Sequence, residues 1–211
     1  MAMQSIQAIE KPLPEGWQWV KLGEVCYIAG GSTPKSGIQE YWNGDIIWIT
    51  PTDLGKLEDC HIYQSARKIT KHGYADCGTE LVPADSVILS SRAPIGHLGI
   101  AKVPLCTNQG CKSFIPDRNL LDSLFLYYAL KKAVPELQAL GSGATFAEVS
   151  KTQLANFSIP IPPLPEQQRI AACLREKTQA VNEARQAAEA QLKAINQLPA
   201  ALLRQAFSGA L

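Results

Sequence analysis

No stretch of 18 or more apolar residues occurs in the sequence, and Met1 to Lys11 hold no basic run followed by an apolar core. A membrane span and a secretory leader are therefore not expected, and the sequence points to a cytoplasmic protein. Close Cys-x-x-Cys pairs are missing too. Cys26, Cys60, Cys77, Cys106, Cys111 and Cys173 are scattered, which argues for reduced thiols and no metal site. An excess of either charge is also missing: 20 Lys and Arg against 19 Asp and Glu give a net charge of +1, so the chain does not hold a polyanion by bulk electrostatics. Any such partner must be met by locally placed residues.

The motifs of an enzyme are absent as well. Gly30-Gly31-Ser32-Thr33-Pro34 is glycine-rich, but Pro34 and the poorly helical residues after it do not open the helix that a cofactor-binding glycine turn requires. An Asn-Pro-Pro-aromatic methylation tetrad is missing. Asp53, Glu58 and Asp59 lie near Lys56 without the strand-borne order of a metal-dependent nuclease. Ser90 or Ser91 with His97 lacks the strained elbow of a catalytic serine. His61 and His72 sit among polar residues and read as surface side chains.

What is present is an ordinary globular composition, 46% hydrophobic and 18% charged over 211 residues, enough for one domain and an appendage. Trp17–Leu22, Ile46–Thr50, Val87–Ser90, Leu98–Val103 and Phe157–Ile161 read as strands, being rich in Val, Ile and aromatics between turn residues. Leu120–Lys132 reads as a helix, with Asp117 or Asn119 as its cap and Pro135 as its stop. The expected class is α+β: a mixed α/β domain with a β-rich core over residues 1–158, followed by a long helix and a short terminal one.

Four prolines in Ile159–Pro165 predict an extended, stiff strut without helix. From Glu166 to Leu198 there is no Gly or Pro, and Ala, Gln, Glu, Lys, Arg and Leu dominate, as in an exposed helix roughly 50 Å long. Leu174, Val181, Ala188 and Ile195 recur every seven residues. Ile170, Ala184 and Leu198 fill much of the second seam, which Lys177 and Gln191 complete. This heptad predicts a partner helix, and the competing reading is packing on the chain's own domain. Pro199 should end the helix, leaving residues 199–211 as a short amphipathic helix, Ala200–Phe207, closed by Gly209, with Leu202, Leu203 and Phe207 docking on something.

Several pieces in order resemble the specificity (S) subunits of type I restriction-modification systems: Leu13-Pro14-Glu15-Gly16-Trp17, Leu22-Gly23-Glu24, Gly31-Ser32-Thr33-Pro34, Tyr41-Trp42-Asn43-Gly44 and Ile47-Trp48-Ile49-Thr50. Ser91-Arg92-Ala93-Pro94-Ile95-Gly96, Asn108-Gln109, Gly141–Thr145, Ile159–Gln167 and Leu203–Gly209 follow. No single piece is specific, whereas the ordered set is. The resemblance implies a target recognition domain that reads a short double-stranded DNA half-site, joined to a conserved helix. A full S subunit carries two of each, so one of each implies a half-length form that pairs antiparallel with a second copy. It further implies a non-catalytic chain without a cofactor. S-adenosylmethionine would be bound by an adenine methyltransferase subunit, and ATP and Mg by a restriction-translocase subunit.

Under that resemblance, base readout needs donors and acceptors on loops that can enter a groove. Ser32, Thr33, Lys35, Ser36 and Gln39 form the first candidate loop, Arg92 and His97 the second, and Asn108, Gln109 and Lys112 the third. The competing reading is a solvated connector for the first loop and a structural ion pair for Arg92. Trp17, Trp42 and Trp48 read as core or rim packing more than as base-stacking platforms. Gly141–Thr145 reads either as a phosphate-contacting turn or as a hairpin. A second functional class, a coiled-coil scaffold without DNA readout, is compatible with the near-neutral charge.

Overall fold

The computed structural model describes residues 13–141 and 148–208. The chain divides into two compact units, Met1–Gln168 and Arg169–Leu211.

The first unit is α+β. A five-stranded sheet has the order β2-β9-β6-β7-β4, built from β2 (Cys26–Gly30), β4 (His61–Ile62), β6 (Val87–Ser90), β7 (Leu98–Ala101) and β9 (Cys111–Pro116). A three-stranded sheet has the order β5-β3-β8, from β3 (Trp42–Ile49), β5 (Arg67–Ile69) and β8 (Cys106–Thr107). β1 (Gln18–Lys21) pairs antiparallel with β10 (Ser158–Ile161). Val87, Ile88, Leu89 and Phe114 are fully buried, so the centre of the larger sheet is core on both faces. Around the sheets lie short helices α1 (Leu22–Val25), α2 (Pro51–Leu54), α3 (Lys71–Asp76) and α5 (Lys151–Asn156), and the longer α4 (Ser123–Leu140).

Local chemistry explains several of the ordered motifs. Thr50 caps α2: its hydroxyl accepts from Asp53 N, while the Asp53 carboxylate accepts from Thr50 N at 2.9 Å and from Ala66 N at 3.1 Å. Asp53 is thus spent on structure. In Trp42-Asn43-Gly44 the register of β3 on β5 shifts, and Asn43 adopts φ 61°, which Asn tolerates better than most residues. A side chain at Gly44 would put its Cβ 2.5 Å from Thr70 Cα, so only glycine lets the strands close there.

Several sequence expectations are corrected. α4 begins at Ser123, and its cap is Asp122, whose carboxylate accepts from Phe125 N at 2.8 Å; Asp117 and Asn119 form the preceding turn. The helix also runs through Pro135 to Leu140. Proline removes one backbone bond and crowds the carbonyl four residues back, but Leu126, Leu130, Ala133 and Leu137 keep one buried face across the interruption, and packing outweighs the local cost.

The proline-rich segment is not a free strut. Ser158–Ile161 is the strand β10, and the helix α6 starts at Leu164, with Pro165 in a first turn where its missing N–H costs nothing. Gln167 is buried there and fully used: its Nε2 donates to Leu120 O and Pro162 O, both at 2.9 Å, and its Oε1 accepts from Asp122 N at 2.9 Å. The boundary between the two compact units falls at Gln168.

The second unit is helix. α6 spans Leu164–Phe207, 44 residues or about 66 Å, and passes through Pro199, so Ala200–Phe207 continues this helix and is not a separate one. Strong helix formers on both sides, among them Ala194 and Leu198 before and Ala200 and Leu202 after, restore the ladder within a turn. Continuity brings Leu202 into phase seven residues after Ile195. Leu174, Val181, Ile195, Leu198 and Leu202 are all exposed, Val181 by 66% and Ile195 by 59%, and so are Ala184 and Ala188. Gly209 lies outside the described residues. Among the described residues no helix is long and apolar enough to cross a membrane.

Candidate nucleic-acid interface

Strand register brings the three candidate loops to one end of the larger sheet. β9 lies between β2 and β6, antiparallel to both, with Gly30 opposite Lys112 and Ser90 opposite Cys111. The loops leaving β2 and β6 therefore emerge beside the turn that enters β9. Two of these segments, Gly31–Ile38 and Asn108–Gly110, also cross between the two sheets, linking β2 to β3 and β8 to β9.

The turn Asn108–Gly110 is the hub. Asn108 Oδ1 accepts from Gly110 N at 3.0 Å, an Asx-type closure of the turn. On one side Ser32 N donates to Thr107 O at 3.0 Å, and the Thr33 hydroxyl donates to the Gln109 side-chain carbonyl. Gly31 lies so close that an added Cβ would be 1.9 Å from Asn108 O. On the other side Ser91 N donates to Gly110 O at 2.8 Å. Thr33, Gln109, Lys35 and Ser36 are exposed, while Ser32, Asn108 and Arg92 are half-buried.

Two indoles pin the first loop. Trp48 Nε1 donates to Ser32 O at 3.0 Å and Trp42 Nε1 to Lys35 O at 3.4 Å. The two buried rings meet edge to face at 5.2 Å, and Trp17 meets Phe125 edge-on at 6.4 Å, so all three tryptophans pack as the sequence suggests. Gln39 is exposed in the single turn Gln39–Tyr41, and among the described residues its side chain makes no hydrogen bond to the hub.

The charged candidates are engaged. Arg92 Nε donates to Glu148 Oε2 at 2.8 Å, and Lys112 Nζ reaches Glu148 Oε1 at 3.4 Å, Ser91 Oγ at 3.3 Å and Gln109 O at 3.4 Å. Lys112 is buried, so it props the hub from below, whereas the Arg92 side chain stays 42% exposed and meets Glu148 through Nε. Burial disfavours the Glu148 carboxylate, but the hydrogen bond from Arg92 and the charge of Lys112 outweigh it and hold its pKa below the ordinary 4.5. Glu148 gave no signal in sequence reading, because it is 56 positions from Arg92. Ser142–Thr145, the rest of the glycine-rich segment preceding it, lies outside the described residues.

His97 immediately precedes β7. Its backbone N donates to Ser90 Oγ at 2.8 Å, while Ser90 Oγ donates to Pro94 O at 2.7 Å. The serine thus ties a hairpin, and its bond to His97 is to the backbone, not the ring. Cys26 and Cys111 are pushed up to about 12 and Cys106 to about 11 by burial, so these thiols are protonated at neutral pH.

This arrangement offers amide, hydroxyl and guanidinium groups on a connected surface, held from beneath by backbone bonds. A family model described as the type I restriction modification DNA specificity domain matches residues 14–194. The chain belongs to that family. The specificity subunit of the type I restriction enzyme MjaIX from Methanocaldococcus jannaschii is 42% identical over 164 residues, 77% of this chain and 38% of that protein. The EcoR124I/EcoR124II specificity subunit from Escherichia coli is 32% identical over 74% of this chain and 40% of its own length. Among solved structures, the HsdS subunit from Thermoanaerobacter tengcongensis superposes with a TM-score of 0.69 at 31% identity, over 96% of this chain and 47% of that one. A chain from a study of complex assembly and conformational transition of the type I R-M system gives 0.76 at 32% identity, over 96% and 48%. The chain thus spans less than half the length of these relatives. The α+β domain followed by a long helix is the HsdS-like fold.

Proposed function

We propose that this chain is the DNA-reading component of a type I restriction-modification complex and is not itself an enzyme. The observation that carries the reading is the meeting of Thr33, Asn108, Gln109 and Arg92 at one end of the sheet in a member of the specificity family. Amides suit adenine and a guanidinium suits guanine, while Ser32, Ser36, Thr33 and Lys35 suit phosphate or either base.

Self-association through α6 completes the reader. The exposed heptad residues from Leu174 to Leu202 are supplied for a second copy, with Ala184 and Ala188 letting the helices approach closely. Antiparallel pairing puts one domain at each end of the pair, and twofold symmetry makes the target an interrupted palindrome. Its half-sites lie on the order of 10 bp apart, centre to centre. The paired helices position an adenine methyltransferase subunit, which binds S-adenosylmethionine, and a restriction-translocase subunit, which binds ATP and Mg. No cofactor belongs to the chain itself. The purified chain neither methylates nor cleaves DNA in this account, and turnover by the isolated chain overturns it. Specific DNA binding by the chain with its methyltransferase partner, lost on substitution of Gln109 and Asn108, tests the reading directly. Binding that is indifferent to sequence would favour a scaffold.

A further inference from the structure

Resting on the reading just given, we infer that Arg67 is a DNA-contacting residue, a guanidinium held against Trp42 whose donors meet an acceptor pair on the duplex: phosphate oxygens, or O6 and N7 of a guanine. Several cations of the domain are already answered by carboxylates. Lys35 Nζ lies 3.6 Å from Asp76, Arg92 and Lys112 share Glu148, and Lys102 and Arg118 share Asp85. Arg67 differs. Among the described residues no carboxylate lies within ion-pair distance of it. Its Cζ sits 3.5 Å from the centroid of the Trp42 ring and 5.8 Å from that of Trp48.

A guanidinium over an indole gives up hydration on one face and keeps its fork of N–H donors at the edge. The side chain is ordered before any ligand arrives, so less entropy is lost on contact. Trp42 and Trp48 are themselves fixed, because their N–H groups hold Lys35 O and Ser32 O of the first candidate loop. The same two rings therefore support both the loop and Arg67. Arg67 is exposed and faces Trp48 in the register of β3 with β5, and β5 is an outer strand of its sheet. Arg67 is linked to the hub through Trp48, which donates to Ser32 O, and through Ser32, whose N donates to Thr107 O next to Asn108.

The test uses the full chain with its methyltransferase partner and a duplex enriched by the wild type from a randomised pool. Arg67→Met keeps an unbranched stem over Trp42 and removes the fork and the charge; Arg67→Lys keeps the charge alone. The expected result is binding weakened about tenfold or more by Arg67→Met, with an unchanged unfolding midpoint. If the acceptors are phosphate oxygens, Arg67→Lys retains most of the affinity and Arg67→Met lowers the salt slope by about one. If they belong to guanine, both variants lose discrimination at one G·C pair. Wild-type affinity, slope and base preference in Arg67→Met overturn the inference, as does a loss of binding matched by a lowered unfolding midpoint, which marks a structural role. Failure of the wild type to enrich any duplex is a different result: it overturns the functional reading itself, and the inference with it.

Discussion

Arg92 Nε and Glu148 Oε2 meet at 2.8 Å across 56 positions of sequence, and Lys112 joins the same carboxylate from inside the domain. One acid thus restrains a surface cation and neutralises a buried one. Glu148→Gln should lower stability by about 1–2 kcal/mol at pH 7, because the Lys112 ammonium is left without its anion. The folded pKa of Glu148 is depressed, so its contribution is present above the ordinary value of 4.5 and fades as pH falls through the lower folded value. Unfolding midpoints of the wild type and Glu148→Gln should differ at neutral pH and converge in acid. A gap that stays constant from pH 7 to pH 3 contradicts the assignment.

Arg92 also faces outward. Arg92→Ala should weaken binding to the recognised duplex by at least about 1 kcal/mol, beyond any change in stability. An unaltered affinity removes Arg92 from the readout set and leaves it as half of an ion pair.

Gly31 is where the first loop touches the hub. Its substitution by Ala places a methyl carbon against the Asn108 carbonyl, and backbone cannot yield as a side-chain tip can. Gly31→Ala should cost about 2 kcal/mol or more in urea unfolding and abolish specific binding. Gly30, whose Cβ would meet nothing within 4 Å, is the control. Equal effects at the two positions would show that the close approach is not what matters.

Gln167 joins the start of α6 to the turn before α4 through three hydrogen bonds. Gln167→Leu leaves Asp122 N–H and two carbonyls without this partner, with an expected loss of about 2–4 kcal/mol by chemical denaturation. A loss below about 0.5 kcal/mol would mean that water replaces the amide.

Val181 and Ile195 are exposed on the heptad seam. Val181→Glu or Ile195→Glu should convert a dimer into a monomer in sedimentation velocity while the unfolding midpoint of the first unit is kept. A dimer that survives both substitutions rules out the seam as the contact.

β6 was legible because Val87-Ile88-Leu89 is an uninterrupted apolar run, and β10 because Ile159 and Ile161 alternate inward in spite of Pro160. β2 and β9 escaped: Cys26-Tyr27-Ile28-Ala29-Gly30 and Cys111-Lys112-Ser113-Phe114-Ile115 mix polar and apolar residues, and pairing with neighbours makes them strands. The prolines were over-read. Pro135 and Pro199 carry a local cost that the helices around them absorb, and Pro165 sits where there is none. The three loops could be chosen from residue type alone, since glycine next to Ser, Thr, Asn and Arg signals exposed, adaptable backbone. Their convergence depends on which residue of β9 lies opposite Gly30 and Ser90, a long-range register that no local pattern encodes. Arg67 and Glu148 were missed for the same reason.

If two copies of this domain read DNA for a partner enzyme, the modified site is symmetric. Mapping methylated adenines across the genome of cells that express the chain with its methyltransferase partner tests this most directly. Modification is expected at an interrupted palindrome with two identical half-sites and should be lost in Gly31→Ala. An asymmetric or tandem motif, or methylation with no common sequence, would contradict it.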